Sequence, residues 1–314
     1  MDRIDAMRIF VTALDEGSLA GAGRRLNRSP AAITRAITFL ENHVGIQLLH
    51  RTTRSIRLTE AGERYAAACR RVLNDLEEAD IEAAGEKAAP RGLLTITSTI
   101  LSGNQILRPI IDTYLDIYPD VRVQFIQLDR IVNVVEEGVD IALRIAHLPD
   151  SSLIAVKVGE VRRILVASPD YLAANPPVLT PADLTSHRCI PMSAFGHDGW
   201  TFPTANGSGS HKVPIHPRLM VNTMDAAIAS ATEGHGIAMV MSYQVADALR
   251  DGRLKTILDD HEATPRPVHL VMPAGRLSMP KVRAFVDFAV PLLKEEFARR
   301  GVACSNTKAS GAAP

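Results

Sequence analysis

Apolar positions in roughly the first quarter of the chain recur at three- and four-residue spacing. Farther on they gather into short β-rich runs separated by helical stretches, so a helical head followed by an α/β body is predicted. Ile9, Phe10, Ala13 and Leu14 share one face of a first helix that Asp15, Glu16 and Gly17 end. Ser18 caps a second helix running to Leu26. After a polar break at Asn27, Arg28 and Ser29, a third helix starts at Pro30. Ser29 can accept from amides of its first turn, and a proline at the first helical position loses no hydrogen bond. Ala31, Ile33, Ala36, Ile37 and Leu40 then form an apolar face, leaving Ala32, Thr34, Arg35 and Thr38 to point outward.

Two short helices joined by a tight break, from Glu16 to Glu41, predict a helix-turn-helix that reads DNA. Its outward residues are small or polar, as entry into a major groove about 12 Å wide requires. Beyond Gly45, Leu48 to Thr59 alternates as a two-stranded wing, with Arg51, Thr52, Thr53 and Arg54 at the tip. Charge sharpens this picture. Residues 1–71 hold twelve arginines and no lysine against seven acidic residues, a surplus of five on a chain whose net charge is zero. A basic end on a neutral protein implies a localised phosphate contact.

From Thr59 to about Glu86 no proline interrupts one long helix, on the order of 40 Å at 1.5 Å per residue. Tyr65, Cys69, Val72, Leu76, Ala79 and Ala83 fall at alternating four- and three-residue steps, the seam of a two-stranded coil whose partner is a second copy. A helix packed on its own domain is the alternative.

After Ala88 to Gly92 the strands LLTITST, VRVQFIQ and VDIALRI alternate with helical stretches, which predicts parallel strands with crossover helices. A second set begins near Val161 with RRILVAS and includes strands near Ile190, Val213 and Leu219, a helix from Asp225 to Glu233 and the strand IAMVM. The chain returns through VHLVMPA to a last helix from Pro280 to Arg300. Such a two-lobed body holds a ligand in the crevice at its strand ends. Thr97, Ser98, Thr99 and Ser102 cluster where the first strand gives way to a helix, as caps, ligand contacts or both. Gln127 ends the second strand, and Arg144 with His147 ends the third. Arg144 suits a carboxylate or phosphate ligand, or an internal partner such as Asp140 or Glu137. Phe195, His197 and Trp200 lie in a Gly-rich loop, and Asn222 and Thr223 precede a helix. Of these, His197 and Thr223 complete the candidate effector contacts.

The run from Phe10 to Gly62 resembles the winged helix-turn-helix of the LysR-type transcriptional regulators. The likeness rests on the aromatic Phe10, Gly17-Ser18, the recognition helix from Ser29, Leu40-Glu41, Gly45, Leu48, Arg51, Arg54, Leu58-Thr59 and Gly62. It departs at Gly21, Ala22 and Gly23, where the family usually has two alanines. Glycine costs about 1 kcal/mol per helical site relative to alanine, so a less rigid second helix is expected. Many members open the recognition helix with Ser-Gln, where this chain has Ser29-Pro30, so no glutamine contact to a base carries over.

The resemblance covers nearly the whole chain and implies an α + α/β architecture. A winged helix-turn-helix would occupy 1–59, a linker and dimerisation helix 60–87, and a two-lobed periplasmic-binding-protein-like effector domain 88–301. Lobe I would span about 91–161 and 265–301, lobe II about 162–264, and a disordered tail 302–314. By resemblance Ser29, Pro30, Ala31, Thr34 and Arg35 touch bases or adjoining phosphates, and Arg51 and Arg54 hold the wing on the backbone or in the minor groove. The implied function is operator binding as a homodimer or homotetramer in response to a small-molecule effector, with RNA polymerase as a further candidate partner. The rival reading is a cytoplasmic solute-binding or enzyme domain of the same two-lobed fold with an oligomerising N-terminus.

Enzyme signatures are missing from the sequence: it has no G-x-S-x-G, GK[ST], H-E-x-x-H or C-x-x-C, so neither catalysis nor a cofactor is expected. His211 and His216 lack cysteine or carboxylate neighbours in sequence, and no metal is expected. Cys69, Cys189 and Cys304 lie too far apart in sequence for a disulfide framework and suit a reducing compartment, although a redox role for Cys189 stays open. No apolar run matches a signal peptide or membrane span, so a cytoplasmic protein is expected.

Overall fold

A computed structural model describes residues 2–50, 56–84, 89–130, 132–148, 152–193, 198–204 and 209–305. The chain divides into two compact units, the first built on the residues up to Ala89. In that unit α1 (Arg3–Asp15) starts where the Asp2 carboxylate accepts from the Ile4 and Asp5 amides. Ser18 caps α2 (Leu19–Arg25) by accepting from the Gly21 amide at 3.0 Å. Ser29 does the same for α3 (Pro30–Val44), which ends at Gly45 in the left-handed conformation, φ 73°. Ile33, Ala36, Ile37 and Leu40 of α3 pack with Ala6, Ile9, Phe10 and Ala13 of α1 into one core. Ala31, expected on the apolar face, is exposed instead and lies beside Thr34 and Arg35.

The wing is the antiparallel pair β1 (Leu49–His50) and β2 (Arg57–Leu58). Glu41 ties it to α3, accepting from the Leu48 and Leu49 amides at 2.9 and 3.3 Å. Thr59 then starts α4 (Glu60–Ala84), its hydroxyl oxygen accepting from the Gly62 amide. Two glycines here are steric requirements. A Cβ on Gly62 would stand 2.0 Å from the Leu48 carbonyl oxygen, and one on Gly23 would stand 2.8 Å from that of Arg28. The glycine that departs from the family pattern at position 23 therefore admits the turn's backbone.

The seam expected on α4 is corrected in its first half. Cys69 is fully buried in the unit's own core, with Ala66 beside it and Tyr65 packed against it. Only farther along the same stripe do Val72 and Leu76 emerge, 39% and 37% exposed.

The second unit carries two sheets. The first has the order β4 (Val121–Gln127), β3 (Gly92–Ser98), β5 (Ile141–Ile145), β13 (Arg266–Pro273), β6 (Leu153–Val161). β3, β4 and β5 are parallel as expected. α5 (Ile100–Ser102), a π-helical turn (Gly103–Leu107) and α6 (Arg108–Ile117) join β3 to β4, whereas the described residues between β4 and β5 form turns and not the expected helical stretch. β13 runs antiparallel to both neighbours, because it enters from the second lobe without a crossover helix. The second sheet has the order β12 (Lys255–Ile257), β7 (Arg163–Ala167), β11 (Ile237–Met241), β8 (Cys189–Ile190) and is also mixed, only β11 and β8 being parallel. Strict alternation gives β11 two faces. Ala238 and Val240 pack with α8 (Met224–Thr232) and α9 (Ala246–Arg250), whereas Ile237 and Met239 pack with Tyr171 of α7 (Pro169–Ala174) and with Trp200 and Phe202.

Three further expectations change. Trp200 sits on β9 (Gly199–Pro203), paired with β10 (Ser210–Pro214), and not in a loop. Near Leu219 there is no strand, only an isolated bridge from Val221 to Met192. α10 (Pro280–Ser305) continues past Arg300 through the start of the presumed tail, and residues 306–314 lie outside the described residues.

Gly62→Ala should destabilise the first unit by at least about 1–3 kcal/mol, the usual penalty of overpacking. Urea unfolding followed by helical circular dichroism measures it. An unchanged midpoint would mean that α4 shifts off the wing without cost.

Candidate functional site

In the first unit, Ser29, Pro30, Ala31, Thr34 and Arg35 are all exposed at the start of α3. Ala31, Thr34, Arg35, Thr38, Phe39 and Asn42 line one shallow face of that helix. The Thr34 hydroxyl donates to the Pro30 carbonyl at 3.0 Å, which holds its methyl in one orientation. Part of the unit's positive charge is already engaged. Arg28 donates twice to Asp5, at 2.8 and 3.0 Å, while Arg25 pairs with Glu16 and Arg70 with Asp15. Arg35 has no such partner among the described residues, so its charge faces outward uncompensated. Arg51 and Arg54 lie outside the described residues.

In the second unit a cavity of about 370 Å³ opens between the two lobes. Thr99, Asp129, Ile145 and Arg266 line it from the first lobe. Arg163, Met192, Trp200, Met239, Met241 and Tyr243 are among those from the second. Asp129 accepts from the Ile100 amide at 3.1 Å, which keeps that carboxylate at the mouth of α5. Burial first, and the Arg266 cation second, push the Arg163 guanidinium below its ordinary value.

Of the expected effector contacts, the structure brings Thr99 to this cavity. Its hydroxyl lies 2.8 Å from that of buried Ser102, in the environment of the Tyr243 hydroxyl. Thr97 donates to the Ile126 carbonyl and Ser98 to that of Thr99, both inside the fold. Gln127 donates to Asn104 at 2.9 Å and covers Gly103, where a Cβ would meet it at 2.5 Å. Arg144 donates to the Val132 carbonyl. Asp140, a candidate partner for Arg144 by sequence, instead lies 3.3 Å from Arg276. His147 is exposed, and Thr223 occupies the N-cap position of α8 without a side-chain capping bond. Neither lines the cavity. His197 lies outside the described residues.

Sequence reasoning did not single out Arg163, Arg266, Asp129 or the methionines. An arginine at each of two strand ends reads locally as a solvated cation, and only the lobe-to-lobe approach brings residues 163 and 266 to one space. No group of histidine, cysteine and carboxylate side chains suited to a metal occurs among the described residues.

A winged helix-turn-helix followed by a ligand-sized cavity between two α/β lobes defines a ligand-responsive DNA-binding regulator. Residues 4–63 match the family model "Bacterial regulatory helix-turn-helix protein, lysR family", and residues 87–294 match "LysR substrate binding domain". The chain belongs to the LysR family of transcriptional regulators. It is 31% identical to an HTH-type transcriptional repressor of Pseudomonas aeruginosa, over 94% of this chain and 93% of that one. The full-length virulence activator AphB of Vibrio cholerae superposes with a TM-score of 0.60 at 27% identity, over 93% of this chain and 99% of that one. CrgA, a LysR-type regulator of Neisseria meningitidis, gives 0.59 at 27% identity, over 92% and 98%.

Burial pushes the Cys69 thiol up to about 11 and the Cys189 thiol up to about 12. Since the thiolate is the reactive species, neither should react in the folded state. In a Cys304→Ser background, iodoacetamide at neutral pH should label the native protein far more slowly than the urea-unfolded protein. Equal labelling of Cys189 in both states would restore a redox role for it.

Proposed function

We propose that this regulator grips its operator with the exposed start of α3, through Ser29, Pro30, Ala31, Thr34 and Arg35, and with the wing arginines Arg51 and Arg54. The uncompensated charge of Arg35 carries this reading. Arg24 and Arg71 are spread over the same basic unit, but Arg35 stands on the helix that the family uses for recognition, beside the Thr34 methyl. An arginine there can fork onto a base edge, and a methyl can pack on a thymine.

The chain acts by binding and not by catalysis, in the cytoplasm where its DNA resides. No helix among the described residues is long and apolar enough to cross a membrane. A small-molecule effector between the lobes shifts the population of lobe arrangements, and with it the geometry of paired heads on DNA. RNA polymerase follows as a partner, since control of transcription is exerted where polymerase binds. A second copy of the chain covers the outer stripe of α4, and further pairing gives a tetramer.

The direct test is a mobility-shift titration on the DNA flanking its own gene. Thr34→Ala with Arg35→Ala should lose about 1–3 kcal/mol of preference for operator over random duplex, while nonspecific binding changes less. Equal losses on both duplexes would remove these residues from the reading face. Separately, Val72→Glu with Leu76→Glu should shift sedimentation toward the single chain without loss of helical content. Unchanged sedimentation would place the pairing surface elsewhere.

A further inference from the structure

Arg163 reaches the cavity from β7, in the second lobe, and Arg266 from the first residue of β13, in the first lobe. Neither guanidinium has a hydrogen-bond or ion-pair partner among the described residues. Their neighbour Arg162 shows what a satisfied arginine looks like here, donating to both oxygens of Glu262 at 3.0 and 2.8 Å. Arg163 and Arg266 are both half-buried, and the Arg163 charge is opposed by burial and by Arg266 itself. Arginine does not escape such a conflict by losing its proton. Two partly desolvated like charges are held together at a cost that a shared anion would remove.

The rest of the wall sets the other half of the specificity. Ile145, Met192, Trp200, Met224, Met239 and Met241 surround the cations with apolar surface, and Trp200 is only 6% exposed. Thioethers adapt to irregular shapes, so this surface suits a compact apolar body more than a string of hydroxyls. Asp129 and Thr99 stand ready for one further polar substituent.

We propose that the effector is a small organic acid, its carboxylate gripped jointly by Arg163 and Arg266 and its apolar body packed among Trp200 and the methionines. Because the two arginines come from different lobes, one bound anion also links the lobes, which couples ligand charge to lobe arrangement. The inference rests on the reading of this cavity as the effector site and adds the chemical class of the ligand.

Trp200 is the chain's one tryptophan, so its emission reports on the cavity wall directly. The full-length protein is titrated with benzoate and succinate, and in parallel with benzamide and inorganic phosphate. At least one of the two acids should change Trp200 emission saturably. The neutral amide and the phosphate, which lack respectively the charge and the apolar body, should bind at least about tenfold more weakly. Arg163→Met and Arg266→Gln should each weaken the acid by about tenfold or more, whereas Arg122→Gln, exposed on β4, should leave it unchanged. Both cavity variants should also melt higher than the parent without ligand, since one of two repelling cations is gone.

Equal affinity for benzamide and the acid, unchanged acid affinity in both variants, or no response to either acid up to roughly 10 mM would overturn the inference. Lower melting temperatures in both variants would also overturn it, by showing the pair to be structural. Failure of the underlying cavity reading has a different signature: an acid raises the melting temperature while Trp200 emission stays fixed, which places the ligand elsewhere and removes both claims.

Discussion

One face of α4 must satisfy two burial demands, and the arrangement of the DNA-binding unit follows from how it divides them. Near its start Tyr65, Ala66 and Cys69 close the core formed by α1, α2 and α3. One and two turns on, Val72 and Leu76 continue the stripe outside that core, each with more than a third of its surface exposed. Burying a Val or Leu side chain is worth about 1.5–3 kcal/mol, so the outer half favours an apolar cover from another chain. Gly62 fixes where the division falls, since it lets the helix backbone approach the Leu48 carbonyl closely enough for the inner half to reach the core. A helix anchored this way transmits the position of its own head to whatever pairs with its outer half.

Electrostatics in the same unit work by elimination. The arginine surplus implied a localised phosphate contact, and Arg25, Arg28, Arg64 and Arg70 are set apart from it, since each pairs with a carboxylate of its own unit. Exposed ion pairs of this kind add little stability, and their larger effect is to localise the field. Arg28 and Asp5 hold the turn before α3 against α1, and the charge left uncompensated on α3 is that of Arg35. In the cavity of the second unit the same logic runs in reverse. Glu262 satisfies Arg162, whereas Arg163 and Arg266, which line the space, have no carboxylate partner among the described residues.

How much of this was legible in the sequence depended on the range of the interactions. Ser18 and Ser29-Pro30 are helix starts by chemistry confined to a few residues, so the helix-turn-helix could be located from the chain alone. The face of β11 that meets Trp200 follows from alternation. The heptad reading of α4 found the stripe but could not tell burial on its own head from burial on another chain, because both impose the same spacing. β6 escaped notice because Lys157, Gly159 and Glu160 interrupt its apolar pattern at a sheet edge, next to a bulge in its pairing with β13. The antiparallel entry of β13 and the approach of Arg163 to Arg266 depend on the chain leaving the first lobe and returning, which no local pattern encodes.

Pairing of two heads through α4 is most directly tested by hydroxyl-radical footprinting of the operator at controlled stoichiometry. Two protected patches related by a dyad should appear together, their centres about 10 base pairs or a whole multiple of that apart, with at least two chains bound per operator. A single patch lacking a dyad, fully protected by one chain, would contradict the division of α4 into an inner half for its own core and an outer half for a second copy.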